Sequence, residues 1–205
     1  MGKIKRVELA VHLFDAINRR PFNEEYGYTL ETEYTEDYGP EQEALMKNNY
    51  KRQIKDIASD RGMLIVLPHE RVLREVHSNV MEIIHYALSL FPLEDEVDRF
   101  CYNETGSISP EGIDKIKRNL DKDLQVYAWG EFTTGCVLDE LLRFYHALGI
   151  PIDSEKVKDS LVPEISIDFE GLYPRPWETL SQKETERRID LYEKKVAERI
   201  ANFEL

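Results

Sequence analysis

The stretch Val126-Tyr-Ala-Trp-Gly130-Glu-Phe-Thr133-Thr-Gly135-Cys136-Val-Leu-Asp-Glu-Leu-Leu-Arg-Phe-Tyr-His-Ala-Leu-Gly149 decides the fold. Leu124 to Trp129 reads as a buried strand, Gly130 to Gly135 as a turn, and the segment onward to Leu148 as a helix stopped by Gly149. Strand, turn and helix in that order form the unit of a parallel sheet, and the alternation continues outward toward the N-terminus. Val7 to Phe14 (VELAVHLF) is mainly apolar and β-prone. Residues 18–40 are rich in Tyr, Glu, Thr and Gly without a helical period and read as a long loop. The next spacing predicts a helix over 41–61, with Met46, Tyr50, Ile54 and Ile57 on one stripe and Gly62 as its stop. Met63 to Leu67 is apolar throughout and flanked by Gly and Pro, as a strand buried on both faces should be.

A second helix comes after Pro68, with Val72, Val76, Val80, Ile83, Ala87 and Leu90 or Phe91 at three- and four-residue steps. Val97 to Tyr102 is a third strand interrupted by Asp98 and Arg99. Ser109-Pro110 opens a short helix carrying Ile113, Ile116 and Leu120. Strands separated by helices predict a three-layer α/β/α domain over 1–150 with a mainly parallel sheet. Residues 151–205 are expected to pack on the same domain, as a proline-containing irregular wrap and a C-terminal helix. Ser181-Gln-Lys-Glu184 is a capping box for that helix, and Ile189, Tyr192, Val196, Ile200 and Phe203 come after it at heptad-like spacing. The stripe fits packing on its own domain; read as a free face it predicts a homodimer or larger homo-oligomer.

The 205 residues suit one domain. Eleven Tyr, eight Phe and two Trp exclude a disordered chain. The longest apolar run, Met63 to Leu67, is far short of the ~20 residues of a membrane helix, and the N-terminus lacks the pattern of a secretory signal. A net charge of −13 repels a phosphate backbone, so nucleic acid is not an expected partner. Two cysteines, Cys101 and Cys136, are too few for a disulfide framework, which predicts a reduced, cytoplasmic protein.

Cys136 carries the chemistry. It sits where a helix begins, and there free backbone N–H groups and the helix dipole favour an anion and activate a thiol. The same N–H groups, from Phe132, Thr133 and Gly135 onward, suit the oxyanion of a tetrahedral intermediate. The plainer alternative is a small buried hydrophobe.

The pattern Gly130-x-x-Thr133-x-x-Cys136-Val137, between an apolar strand and a glycine-stopped helix, resembles the nucleophile segment of isochorismatase-like cysteine hydrolases. That resemblance covers roughly residues 7 to 150 in element order and implies a three-layer α/β/α fold acting on small amides. It implies a triad of the Cys, an Asp ending the first strand and a Lys ending the third. Asp15, in Leu13-Phe14-Asp15, matches the Asp. The third strand has no Lys; Arg99 stands nearest and is taken as the cation, though a guanidinium cannot give up a proton as an ammonium can. The expected partner is a small-molecule substrate, with no cofactor and no metal. The other expectation is a catalytically degenerate module of the same fold that serves binding or assembly.

Other motifs are weaker. Gly130 to Gly135 has phosphate-loop spacing, but Cys136-Val137 replaces the Lys-Ser/Thr. His85 in Glu82-Ile-Ile-His85 reads as a structural helix residue, and His69 and His77 lack an Asp-x-His cluster. The acidic run in 24–43 reads as a solvated loop.

Overall fold

The structure is a computed structural model that describes residues 3–14, 39–68, 78–91, 99–102, 110–166 and 172–203. Asp15, most of the acidic loop, His69, Val72, Val76, His77 and Ser109 lie outside these.

Among the described residues, four strands build one all-parallel sheet in the order β3-β2-β1-β4. They are β1 at Ile4–Val11, β2 at Met63–Leu67, β3 at Phe100–Tyr102 and β4 at Leu120–Gly130. Val7 faces Met63 on one side of β1 and Val126 on the other, and Val11 faces Leu67 and Gly130. Of the two central strands, β2 is apolar throughout and buried on both faces, while β1 is buried from Val7 to Val11 with Glu8 as its one charged buried residue.

Two separate cores make the fold three-layered. Leu64, Val66, Ala10 and Trp129 pack against helix α1 (Pro40–Ser59) and helix α2 (Ser78–Leu90). The opposite face, with Leu9, Val11, Ile65 and Ala128, is covered by α3 (Pro110–Asn119), α4 (Leu138–Leu148), α5 (Ser154–Ser160) and α6 (Gln182–Ala201). The predicted stripe of α1 is buried throughout at Met46, Tyr50, Ile54 and Ile57. No helix among the described residues is long and apolar enough to cross a membrane.

Several boundaries differ from expectation. β1 ends at Val11 because His12 (φ 53°) and Phe14 (φ 61°) turn left-handed. The left-handed residue closing α1 is Arg61 (φ 56°), not Gly62. Gly62 serves close packing instead, since a Cβ there would stand 2.9 Å from Ile57 Cγ2. Leu120 opens β4 directly after α3 rather than belonging to the helix.

The C-terminal third is more regular than a wrap. Asp153 caps α5 through Lys156 N at 3.0 Å, and a 3-10 turn comes next at Pro163–Ile165. Between them Leu161 forms a one-residue parallel bridge with Ala128, and Val162 N–H donates to the Ala128 carbonyl at 3.0 Å. Tyr192 and Val196 of α6 are buried in the same core as β1 and β4, with Ile200 and Phe203 packed against it. Four of the five residues of the stripe that suggested an oligomer contact therefore pack on the chain's own core. Burying such side chains is worth about 1.5–3 kcal/mol each.

Candidate active site

Parallel strands put all their C-terminal ends on one edge of the sheet. From β1 the chain crosses to β2 on one side, while β4 lies on the other side of β1. The crossovers part between β1 and β4, and open α/β sheets bind ligands in the crevice at that point.

The backbone there is unusual. Of the four described non-glycine residues with positive φ, three are His12, Phe14 and Phe132, which come directly after β1 and β4. Gly130 joins them at φ 141°. A Cβ on Gly130 would overlap the Val11 carbonyl oxygen, so only glycine lets β4 close against β1 here. Glu131 N–H donates to that carbonyl at 3.2 Å, and Gly130 N–H donates to Ser166 Oγ at 3.1 Å. Sparsely populated backbone conformations persist only where the surroundings enforce them, and they gather at functional sites.

Phe132 (φ 62°, ψ 60°) redirects the chain into a wide π-type turn, Thr133–Val137, that feeds α4. The turn closes on itself. Gly135 N–H and Val137 N–H both donate to the Phe132 carbonyl, at 2.9 and 3.2 Å. The Gly135 amide is thus already engaged, and an oxyanion would have to compete with that bond. Cys136 lies in this turn two residues before α4, half-buried and packed against the core of the α4 face.

Two polar groups on this edge are fully buried: Glu131 and Thr133. Thr133 Oγ1 has no hydrogen-bond partner among the described residues. Leaving a buried hydroxyl unmatched costs roughly 1–3 kcal/mol. Sequence reasoning passed over Glu131, although an acid directly after a buried strand is the signal that selected Asp15.

Arg99 does not join this group. It precedes β3, and its carbonyl accepts from Leu64 N–H at 2.8 Å, which places it at the start of β2. Its guanidinium reaches the Ala58 carbonyl at 3.5 Å and lies over the Phe91 ring. Level with Met63, it is four residues short of Gly130 along the strands, about 13 Å, and three strand spacings across, about 14 Å. The start of α4 receives a different cation, Arg199 of α6, whose Nη2 holds both Asp139 oxygens at 2.5 and 2.7 Å. That pairing balances an acid three residues from Cys136. Nearby Glu140 has its carboxyl raised by burial, against the pull of Arg143.

No cluster of three or more His, Cys, Asp or Glu fit to hold a metal occurs among the described residues. His85 is exposed on α2. Compared with known proteins, the chain matches no family model, no curated protein and no solved structure. The isochorismatase-like resemblance therefore rests on the residues of the Cys136 segment and on element order.

Proposed function

We propose that the crevice at the C-terminal ends of β1 and β4 is a small-molecule site, and that Cys136 acts there as the nucleophile of a hydrolase for small amides or related C–N bonds. The observation that supports it is the convergence, on one sheet edge, of the left-handed backbone, buried Glu131 and the turn that carries Cys136. In this reading the thiol proton passes to Asp15, as the resemblance implies, and the sulfur attacks the carbonyl carbon. The tetrahedral intermediate collapses and expels the amine, which takes the proton from Asp15. Water then attacks the thioester, gives its proton to the carboxylate and releases the acid, and the thiol is restored.

The test is hydrolysis of a panel of small amides, with Cys136→Ala as the blank. The expected result is acid release by the wild type and none by the variant. Cys136 should also react with iodoacetamide faster than Cys101, which lies within β3. Arg99→Gln should leave the pH profile of that labelling unchanged, because of its distance. Arg199→Gln should move the profile to higher pH, because unpaired Asp139 opposes a thiolate. Labelling of Cys136 only after denaturation sinks the hydrolase reading.

One observation favours a second reading, a binding module without turnover. Arg99, the cation of the matched triad, stands on the opposite edge of the sheet. A small amide that raises the melting temperature without being consumed would decide for it.

A further inference from the structure

We infer that the segment 172–178 is a strap that closes over the crevice at the ends of β1 and β4, and that the ion pair of Glu178 with Arg188 is its latch; this rests on the site proposed above. The path of the segment leads to it. Leu172 and Tyr173 pack against the core beneath α3 to α6, whereas Trp177 packs against the core beneath α1 and α2. These cores lie on opposite faces of the sheet, so the chain passes round its margin between Tyr173 and Trp177. Four residues reach about 14 Å at most, which makes that passage direct. The margin is the one at the end of β4. The Tyr173 hydroxyl donates to the carboxylate of Glu164, a residue of the short turn Pro163–Ile165. Directly after that turn, Ser166 Oγ accepts from Gly130 N–H at 3.1 Å. Leu161 and Val162 already fill the side of β4 at Ala128, so the strap passes at the strand's end, where the chain turns toward Cys136.

The segment is built to move as one piece. It belongs to no strand or helix, and each of its residues is partly exposed. Pro174 and Pro176 fix two φ angles and remove two backbone donors, which stiffens the piece without giving it a ladder to hold it down. Arg175 and Glu178 close a turn within it: Arg175 N–H donates to Glu178 Oε2 at 2.8 Å, and Glu178 N–H donates to the Arg175 carbonyl at 3.0 Å. The latch comes from α6, whose Arg188 Nη1 donates to both Glu178 oxygens at 2.9 and 3.2 Å. The post is firm, because buried Tyr192 and Val196 fix α6. A charge pair at a partly exposed position is cheap to break, and irregular segments with few buried contacts open well before a core does.

Three measurements on the full chain test this. In the wild type, the bonded amides of Arg175 and Glu178 should exchange with deuterium about tenfold faster, or more, than the amides of β1. Exchange as slow as in β1 means that the segment lets go only when the protein unfolds, and overturns the inference. The second measurement repeats the exchange on Glu178→Gln, Arg188→Gln and the double variant. Each single change should speed it about three- to tenfold, as loss of one charge-assisted bond does, with β4 unchanged. Trp177 emission should move to longer wavelength, against a constant background from fully buried Trp129. The double variant should exceed neither single one, because both remove the same pair. The third is the iodoacetamide rate of Cys136, read on its own peptide by mass spectrometry. It should rise by the factor seen in exchange, while the rate of Cys101 stays as it is. A loosened strap with an unchanged Cys136 rate shows that it does not cover the site, and no loosening shows that the pair is not its latch; either result overturns the inference. The amide panel remains the separate test of turnover: a strap that gates Cys136 in a protein that consumes no amide sustains the strap and sinks only the hydrolase.

Discussion

Gly130→Ala is expected to lower the unfolding free energy by roughly 3–5 kcal/mol, a large part of the ~5–15 kcal/mol that holds a domain together. The added methyl has nowhere to go. It would overlap the Val11 carbonyl oxygen and stand 2.9 Å from the carbonyl carbon, and both atoms belong to the backbone of the central strand. The φ of 141° adds strain for any residue with a side chain. Relief requires β1 and β4 to separate at their ends, where Glu131 N–H also donates to Val11. Urea unfolding of the variant measures the loss. A change below about 1 kcal/mol would mean that the two strand ends move apart freely.

Glu8→Ala should cost about as much, roughly 3–5 kcal/mol, because it strips a buried network of its acceptor. Glu8 is fully buried on the α1 face of the sheet. Its carboxylate accepts from Trp129 Nε1 at 2.6 Å, from Gln53 Nε2 at 2.9 and 3.0 Å, and from Arg6 Nε at 2.7 Å. Arg6 extends the chain of charges outward to Asp60. Burial lifts the Glu8 carboxyl above the ordinary glutamate range, against the opposing pull of Gln53, Arg6 and Trp129. The folded protein therefore holds this proton more tightly than the unfolded chain does. The contribution of Glu8 is full below the ordinary glutamate value and declines as pH rises through the folded value. Relative to Glu8→Gln, the wild type should lose stability from about pH 4 upward. Urea titrations of both proteins between about pH 4 and about pH 8 read this difference. A gap that widens in favour of the wild type with rising pH would contradict the sign.

The layered parallel fold was legible because strands buried on both faces must be apolar runs, and Met63 to Leu67 and Val126 to Trp129 are such runs. β3 was less legible: three residues carry little pattern, and a strand drawn from Val97 puts Arg99 inside it rather than before it. That shift of boundary is what made Arg99 look available to Cys136. The glycine-framed turn was readable from Gly130 and Gly135, since few other residues permit such a path. Which amides the turn consumes was not readable, because the bonds to the Phe132 carbonyl depend on the local path of the chain. Arg199 escaped for a different reason. It meets Asp139 across 60 positions of sequence, and a surface-type Arg on an amphipathic helix carries no mark of its partner.

The bond from Trp129 to Glu8 joins groups 121 positions apart in the chain. It has a consequence in time as well as in space. β1 leaves the ribosome before its neighbours in the sheet, and its apolar flank on the β4 side has no partner until β4 itself has been made. Pairings of such long range are slow to form, because the intervening loop must be closed before any contact rewards it. In the interval β1 presents an open strand edge and uncovered Val7, Leu9 and Val11, the features that drive nascent chains to associate. Folding of this protein should thus be governed by the arrival of β4, with Gly130 as the point at which the sheet locks.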